Sequence, residues 1–314
     1  MRKLLLCFLS VLVLLLTGCG DDAGSGDGES TEPTSITGVA VGGEFGSAPE
    51  VDIDTPVSVE ETTVETLTEG DGEQITKGDT VIVNYAGLNA RSGAEFDSSY
   101  VRGQPAAFVT TGVIPGLAEA LEGQTVGSRV VAAVPPADGF GAEGNPDAEI
   151  EGEDTLVFVV DLISRQLPEA TGAATELPET LPQLQLDDTG EPTEFVATEK
   201  TQPAPEKLVA EVVIEGDGPE IEAGQTMVAH YVGQIFPDGE VFDSSWETGQ
   251  PAPFQIGAGQ VIPCWDKGLV GKTVGSRVIL VCPPAEGYGK QGNPQINVTG
   301  KTTLIFAIDI LAAY

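Results

Sequence analysis

The sequence predicts an α+β protein made of two copies of one domain, each a twisted antiparallel sheet packed on one short helix. Three observations predict it: a long internal repeat, apolar strand-like runs that end at turn residues, and a single stretch of helical spacing in each copy. Residues 69–162 carry the order E-G-D-G, Tyr85, F-D-S-S, Q-P-x-x-F, V-I-P, T-V-G-S-R, P-P, G-N-P, T-L-V-F. Residues 215–310 carry it again, with Tyr231 in the second slot and T-L-I-F at the end. The offset is 146 residues through Phe108 and Phe254, and 148 from Val113 and Val261 onward. Solenoid units run only about 20–50 residues, so a repeat of this length is a whole domain.

The chain begins with a targeting pattern. Arg2 and Lys3 precede an apolar stretch from Leu4 to Leu16, too short to span a bilayer. It ends in Leu16-Thr17-Gly18-Cys19, which resembles the bacterial lipobox. That resemblance implies a signal peptide over 1–18, lipidation of Cys19 and a place at the extracytoplasmic face of the bacterial cell membrane, held by the lipid anchor only. The alternative is a cleaved secretory signal with an incidental cysteine. Residues 20–35 contain Gly, Ser, Asp and Glu but no large apolar side chain, and they read as solvated. Residues 19–58 are therefore expected to form an acidic low-complexity tether, with the first domain over 59–166. A Pro-, Thr- and Glu-rich stretch, 167–206, reads as a linker to the second domain at 207–314.

Within each copy the strands come first. Val81, Val83 and Tyr85 alternate onto one face, as do Met227, Ala229 and Tyr231. Val130–Val134 and Val278–Cys282 are dense apolar runs ended by Pro-Pro, and Leu156–Val160 and Leu304–Ile308 close the units. Between them, Pro115 or Pro263 suits a first helical turn, followed by Leu117/Leu121 or Trp265/Leu269 on one face.

Composition excludes several functions. A formal charge of −35 argues against nucleic acid, whose affinity comes from neutralised phosphates, and against a polybasic contact with anionic lipid. The one histidine, His230, faces Asn84 across the repeat, so a Ser-His-Asp or Cys-His engine would exist in one copy only. Its place between Ala229 and Tyr231 makes it an outward strand residue. No spacing defines a zinc, calcium or phosphate site, so neither metal nor cofactor is expected. Cys264 and Cys282 stand where the first copy has Gly116 and Val134. Outside the cytoplasm this suggests one disulfide, with two separate buried thiols as the alternative.

What remains is an apolar and aromatic set with few polar groups. Y-x-G, V-F-D-S-S, V-I-P-x-W-x-x-G-L, P-P-x-x-G-Y-G and T-L-I-F, in that order, resemble the FKBP-type peptidyl-prolyl cis-trans isomerases over nearly all of both copies. The resemblance implies a half-barrel of strands wrapped on the helix, with a proline pocket between them. In the second copy it implies a site of Tyr231, Phe242, Asp243, Val261, Ile262, Trp265, Tyr288 and Phe306. Phe242, Asp243, Trp265 and Tyr288 are the expected catalytic residues. Two positions depart from the family pattern: Ala252 replaces a frequent pocket aromatic, and Asn293 replaces a frequent histidine. In the first copy the site residues are Tyr85, Phe96, Asp97, Val113, Ile114, Leu117, Phe140 and Phe158, with Leu117 at the Trp265 slot and Phe140 at the Tyr288 slot.

The expected function is isomerisation of X-Pro bonds in proteins folding outside the membrane, with the second domain the stronger site. Expected partners are X-Pro segments of unfolded or secreted proteins, with macrolide inhibitors as further ligands. The alternative is a proline-motif binding module or chaperone with vestigial isomerase activity. A mere spacer would not need Asp97 and Asp243 among apolar positions.

Overall fold

The computed structural model describes residues 31–314; the expected signal peptide and Cys19 lie outside them. The described chain opens with a three-stranded sheet of β1 (Glu32–Pro33), β2 (Val39–Gly42) and β3 (Glu50–Ile53). The first repeat follows with β4 (Thr63–Thr68), β5 (Thr80–Asn89), β6 (Glu95–Ser98), α1 (Ser99–Arg102), β7 (Ala106–Val109), α2 (Pro115–Leu121), β8 (Arg129–Val134) and β9 (Leu156–Gln166). Its strands run antiparallel in the order β4-β8-β9-β5-β6, and β7 pairs with the start of β5. The strand that comes last in the chain thus lies at the centre of the sheet.

Between the repeats lie β10 (Ala173–Ala174), β11 (Gln183–Leu186) and β12 (Pro192–Val196). The second repeat comprises β13 (Val209–Glu215), β14 (Thr226–Ile235), β15 (Val241–Ser244), β16 (Ala252–Gln255), α3 (Pro263–Leu269), β17 (Arg277–Cys282) and β18 (Leu304–Ala313). Its order β13-β17-β18-β14-β15 repeats the first, with β10 added beyond β13 and β16 paired to β14. Among the described residues no helix is long and apolar enough to cross a membrane.

Period-two alternation decides the inner face. Val81, Val83 and Tyr85 join Val130, Ala132, Val134, Leu156, Phe158 and Val160 around Leu117 and Leu121 of α2. Met227, Ala229, Val278, Leu280, Phe306 and Ile308 do the same around Trp265 and Leu269 of α3. Helix α1 was not anticipated. The Ser98 hydroxyl accepts from the Val101 N–H at its start, and Gly103 ends it in the left-handed region.

The outer faces correct two expectations. Residues 32–53, expected to lie in a tether, fold as a cover on the first sheet. Ile36, Val39 and Val41 pack on Ala86, Leu88, Val131, Ala133, Val157 and Val159. The expected linker likewise covers the second sheet, through Leu181 and Phe195 on Val232, Ile279, Val281, Ile305 and Ala307. The physical reason is that strands apolar at every position need burial on both faces.

Polar latches hold the covers. Arg129 Nε donates to Asp161 at 2.6 Å, and the same guanidinium donates to the Gly43 and Ser47 carbonyls, each at 2.6 Å. The Gly46 N–H returns a bond to Asp161 at 2.7 Å. This accounts for the arginine of T-V-G-S-R. The second unit repeats the buried pair as Arg277–Asp309 at 2.6 Å. Its cover is also tied by the Gln234 side chain, which accepts from the Phe195 N–H at 2.6 Å and donates to the Phe195 carbonyl at 2.9 Å. His230 is on the outer face but half-buried. Its ring stacks on Trp246 with centroids 5.3 Å apart, and its Nδ1 lies 2.9 Å from the Ser245 hydroxyl. Burial lowers its pKa.

Candidate active site

In the second unit the chain order of five motifs becomes one concavity. Strand β14 supplies Tyr231 and β15 supplies Phe242 and Asp243. The turn into α3 supplies Val261, Ile262 and Pro263, and α3 itself supplies Trp265. Tyr288 comes from the loop after β17 and Phe306 from β18. With Phe254 and Gln260 these residues enclose a cavity of about 420 Å³. All eight residues expected in this copy are brought together.

The walls are aromatic edges set against faces. Trp265 lies 5.5 Å from Tyr231 at 81°, 5.5 Å from Phe306 at 88° and 4.8 Å from Phe254 at 66°. Phe242 meets Phe306 at 5.8 Å and 86°. Such tilted contacts match the ring quadrupoles and fix the walls before any ligand arrives. Gly233 makes them possible. A Cβ there would lie 2.7 Å from Phe306 and 2.8 Å from Phe242, so only a bare Cα lets both rings lie against β14. This is the glycine of Y-x-G.

One carboxylate interrupts the apolar lining. The Tyr231 hydroxyl donates to Asp243 Oδ2 at 2.7 Å. Burial, and then the hydrogen bond to Asp243, push the Tyr231 phenol well above its ordinary value, so it remains a proton donor. The Trp265 indole nitrogen is buried with no hydrogen-bond partner. Beneath the floor, Cys264 and Cys282 are joined by a disulfide with their Cα atoms 5.7 Å apart. In the first unit Gly116 and Val134 fill that place: a Cβ on Gly116 would lie 2.3 Å from a Val134 methyl.

The first unit assembles most of its set. Tyr85, Leu117 and Phe158 join the core, and Phe96, Val113 and Ile114 pack against it. The Tyr85 hydroxyl donates to Asp97. Phe140 departs from expectation. It is 36% exposed and stands apart from the core cluster, whereas Tyr288 packs against its own. Among the partly buried residues on each core, Ala148 of the first unit takes the place of Ile296 in the second.

Arg102 is a site residue that motif reasoning missed. Its guanidinium pairs with Asp97, donates to the Tyr85 hydroxyl at 3.0 Å and lies 5.3 Å from the Tyr85 ring centroid. A signal was present, because the 146-residue offset sets Thr248 against it just after F-D-S-S. A separate groove of about 780 Å³ adjoins Phe96 and is lined by Glu95, Glu143, Asp147, Glu149 and Glu151. At its edge Arg91 holds the Asp154 carboxyl down to about 2, helped by the Glu151 N–H and Asn89.

An antiparallel sheet half-wrapped round a helix, with a carboxylate bound by a tyrosine hydroxyl, is present twice, and in the second unit it holds an aromatic cavity. The profile described as FKBP-type peptidyl-prolyl cis-trans isomerase matches residues 71–163 and 218–311. The chain belongs to that family and is an isomerase of its type. It is 46% identical over 108 residues to an FK506-binding protein of Streptomyces anulatus, covering 34% of this chain and 87% of that one. A probable FK506-binding protein of Corynebacterium glutamicum is 41% identical over 111 residues, covering 35% of this chain and 91% of that one. Both units together align with the peptidyl-prolyl cis-trans isomerase FKBP9 of Rattus norvegicus, 30% identical over 221 residues, or 70% of this chain and 32% of that one.

Proposed function

We propose that the protein accelerates X-Pro isomerisation in chains folding outside the cytoplasmic membrane, held there by a lipid on Cys19, with the second unit the stronger catalyst. The observation that carries this reading is the cavity of the second unit, with its indole floor, aromatic walls and single carboxylate.

The uncatalysed barrier is about 18–20 kcal/mol because rotation breaks amide resonance. The twisted amide has less charge separation than the planar one, so a dry aromatic pocket favours it without nucleophile or base. This is catalysis by differential binding. Trp265 would support the pyrrolidine ring, with Tyr231, Phe242, Val261 and Phe306 as walls. The Tyr288 hydroxyl and the Ile262 N–H would hold substrate carbonyls, and Asp243 would orient the pocket through Tyr231. The first unit has Leu117 for the indole and Phe140 for the phenol, and so lacks one donor, a loss of about 1–3 kcal/mol when the partner is desolvated.

A coupled X-Pro peptide assay on the full chain tests the ranking. Asp243→Val or Tyr288→Phe should remove most of kcat/KM, Asp97→Val the smaller part, and Phe140→Tyr should raise the rate. An inactive full chain, or a greater loss from Asp97→Val, would overturn the reading in favour of a proline-motif binding module. FK506, named in the relatives, is a direct competitor to try for the same pocket. For the location, Cys19→Ala should shift the protein from the membrane to the soluble fraction. Full retention on membranes would rule out the anchor.

A further inference from the structure

The two sites differ in what meets the carboxylate of the proline pocket. In the first, Arg102 closes α1 and turns back onto Asp97 and the Tyr85 hydroxyl. In the second, that stretch is a single turn, Trp246–Thr248, and the arginine slot holds Thr248. The Thr248 hydroxyl donates to the Ser245 carbonyl at 2.9 Å. Both stretches end on a left-handed glycine, Gly103 at φ 72° and Gly249 at φ 64°, so the backbone presents the slot in the same way.

The consequence falls on Asp243. One of its oxygens, Oδ2, accepts from Tyr231, and the other accepts no hydrogen bond among the described residues. It is also the only charged side chain lining the cavity. On helix α3 the two charged side chains are already engaged. Lys267 pairs with Glu286 at 2.7 Å, and Asp266 accepts from the Gly257 and Gly259 amides at 2.7 and 3.0 Å. An ionised carboxylate can accept up to about four hydrogen bonds, so Asp243 retains capacity at the cavity wall.

We propose that Asp243 is a recognition group for a cation on the substrate. The second site prefers X-Pro segments with a lysine or arginine next to the proline, whose head takes the place that Arg102 fills in the first site. The inference rests on the isomerase reading above. Opposite charges at about 4 Å gain about 1 kcal/mol in water and more beside a protein surface, which corresponds to a preference of about fivefold.

The test uses the full chain and matched peptides with Lys, Ala or Glu beside the proline. The ratio of kcat/KM for Lys over Ala should be about five, with Glu below Ala, and the ratio should shrink in high salt because exposed charges are screened. Thr248→Arg should bring the ratio towards one, whereas Thr248→Gln, long but uncharged, should leave it in place. Arg102→Thr should raise it by releasing Asp97. Equal turnover of the Lys and Glu peptides by the unmodified chain, or a ratio unmoved by Thr248→Arg, would overturn the assignment of Asp243. Absence of turnover on all three peptides would overturn the isomerase reading and this inference together.

Discussion

At the scale of single residues, the site depends on what is absent as much as on what is present. Gly233 contributes no side chain, and its bare Cα admits Phe242 and Phe306. Gly233→Ala should cost about 1–3 kcal/mol, the usual penalty for overpacking, and should lower activity because the displaced rings are the pocket walls. Thermal unfolding with a peptide assay checks both; an unchanged rate would show that the rings are not needed where they lie. The eight residues of the second site were legible because motif order is preserved when strands and turns assemble. Arg102 was marked only by the contrast with Thr248 in the repeat, because its role depends on a long side chain reaching back to Asp97 and Tyr85. Phe140 was legible as an altered position but not as an exposed one, since exposure depends on how the loop packs and not on the residue type alone.

At the scale of elements, the two short helices meet their sheets differently. In the first unit α2 approaches β8 through Gly116 against Val134; in the second, α3 is bonded to β17 through Cys264 and Cys282. Closing an 18-residue separation stabilises by about 3 kcal/mol in the chain-entropy account. Cys264→Gly alone should leave a void. Cys282→Val alone should drive methyl groups towards the Cys264 Cβ, as the Gly116 geometry indicates. The two changes together reproduce the first unit's packing, so their combined cost should fall below the sum of the single costs. A double-mutant cycle by denaturant unfolding measures this, and strict additivity would show that the two helix contacts are not equivalent. The pairing was legible because both cysteines occur in the same copy. Helix α1 was not, because a single capped turn has too few residues to show a period.

At the scale of the whole molecule, each isomerase domain is one layer of a larger unit whose other layer precedes it in sequence. The covers were missed because their apolar residues are few and lie among Gly, Asp, Thr and Pro. The readable signal was on the receiving side, where β8 and β17 are apolar at every position after the leading arginine. Removing residues 31–58 should expose Val131, Ala133, Val157 and Val159. Burial of each large apolar side chain is worth about 1.5–3 kcal/mol, so the truncated chain should lose stability and self-associate. Light scattering and thermal unfolding against the full chain check this; a stable monomer would show the cover to be dispensable. The first isomerase domain is therefore better tested with its cover than as residues 59–166 alone.

The central position of β9 and β18 also bears on synthesis. A growing chain that has released β4 to β8 holds strands whose common partner has not yet emerged. The β4–β8 pair and the β5–β6–β7 group cannot be joined into one sheet until Leu156–Gln166 arrives, and the same delay recurs at Leu304–Ala313. Each half is thus completed from its last strand inward. A chain cut short by one strand should emerge with that half unfolded and open to proteolysis rather than partly assembled.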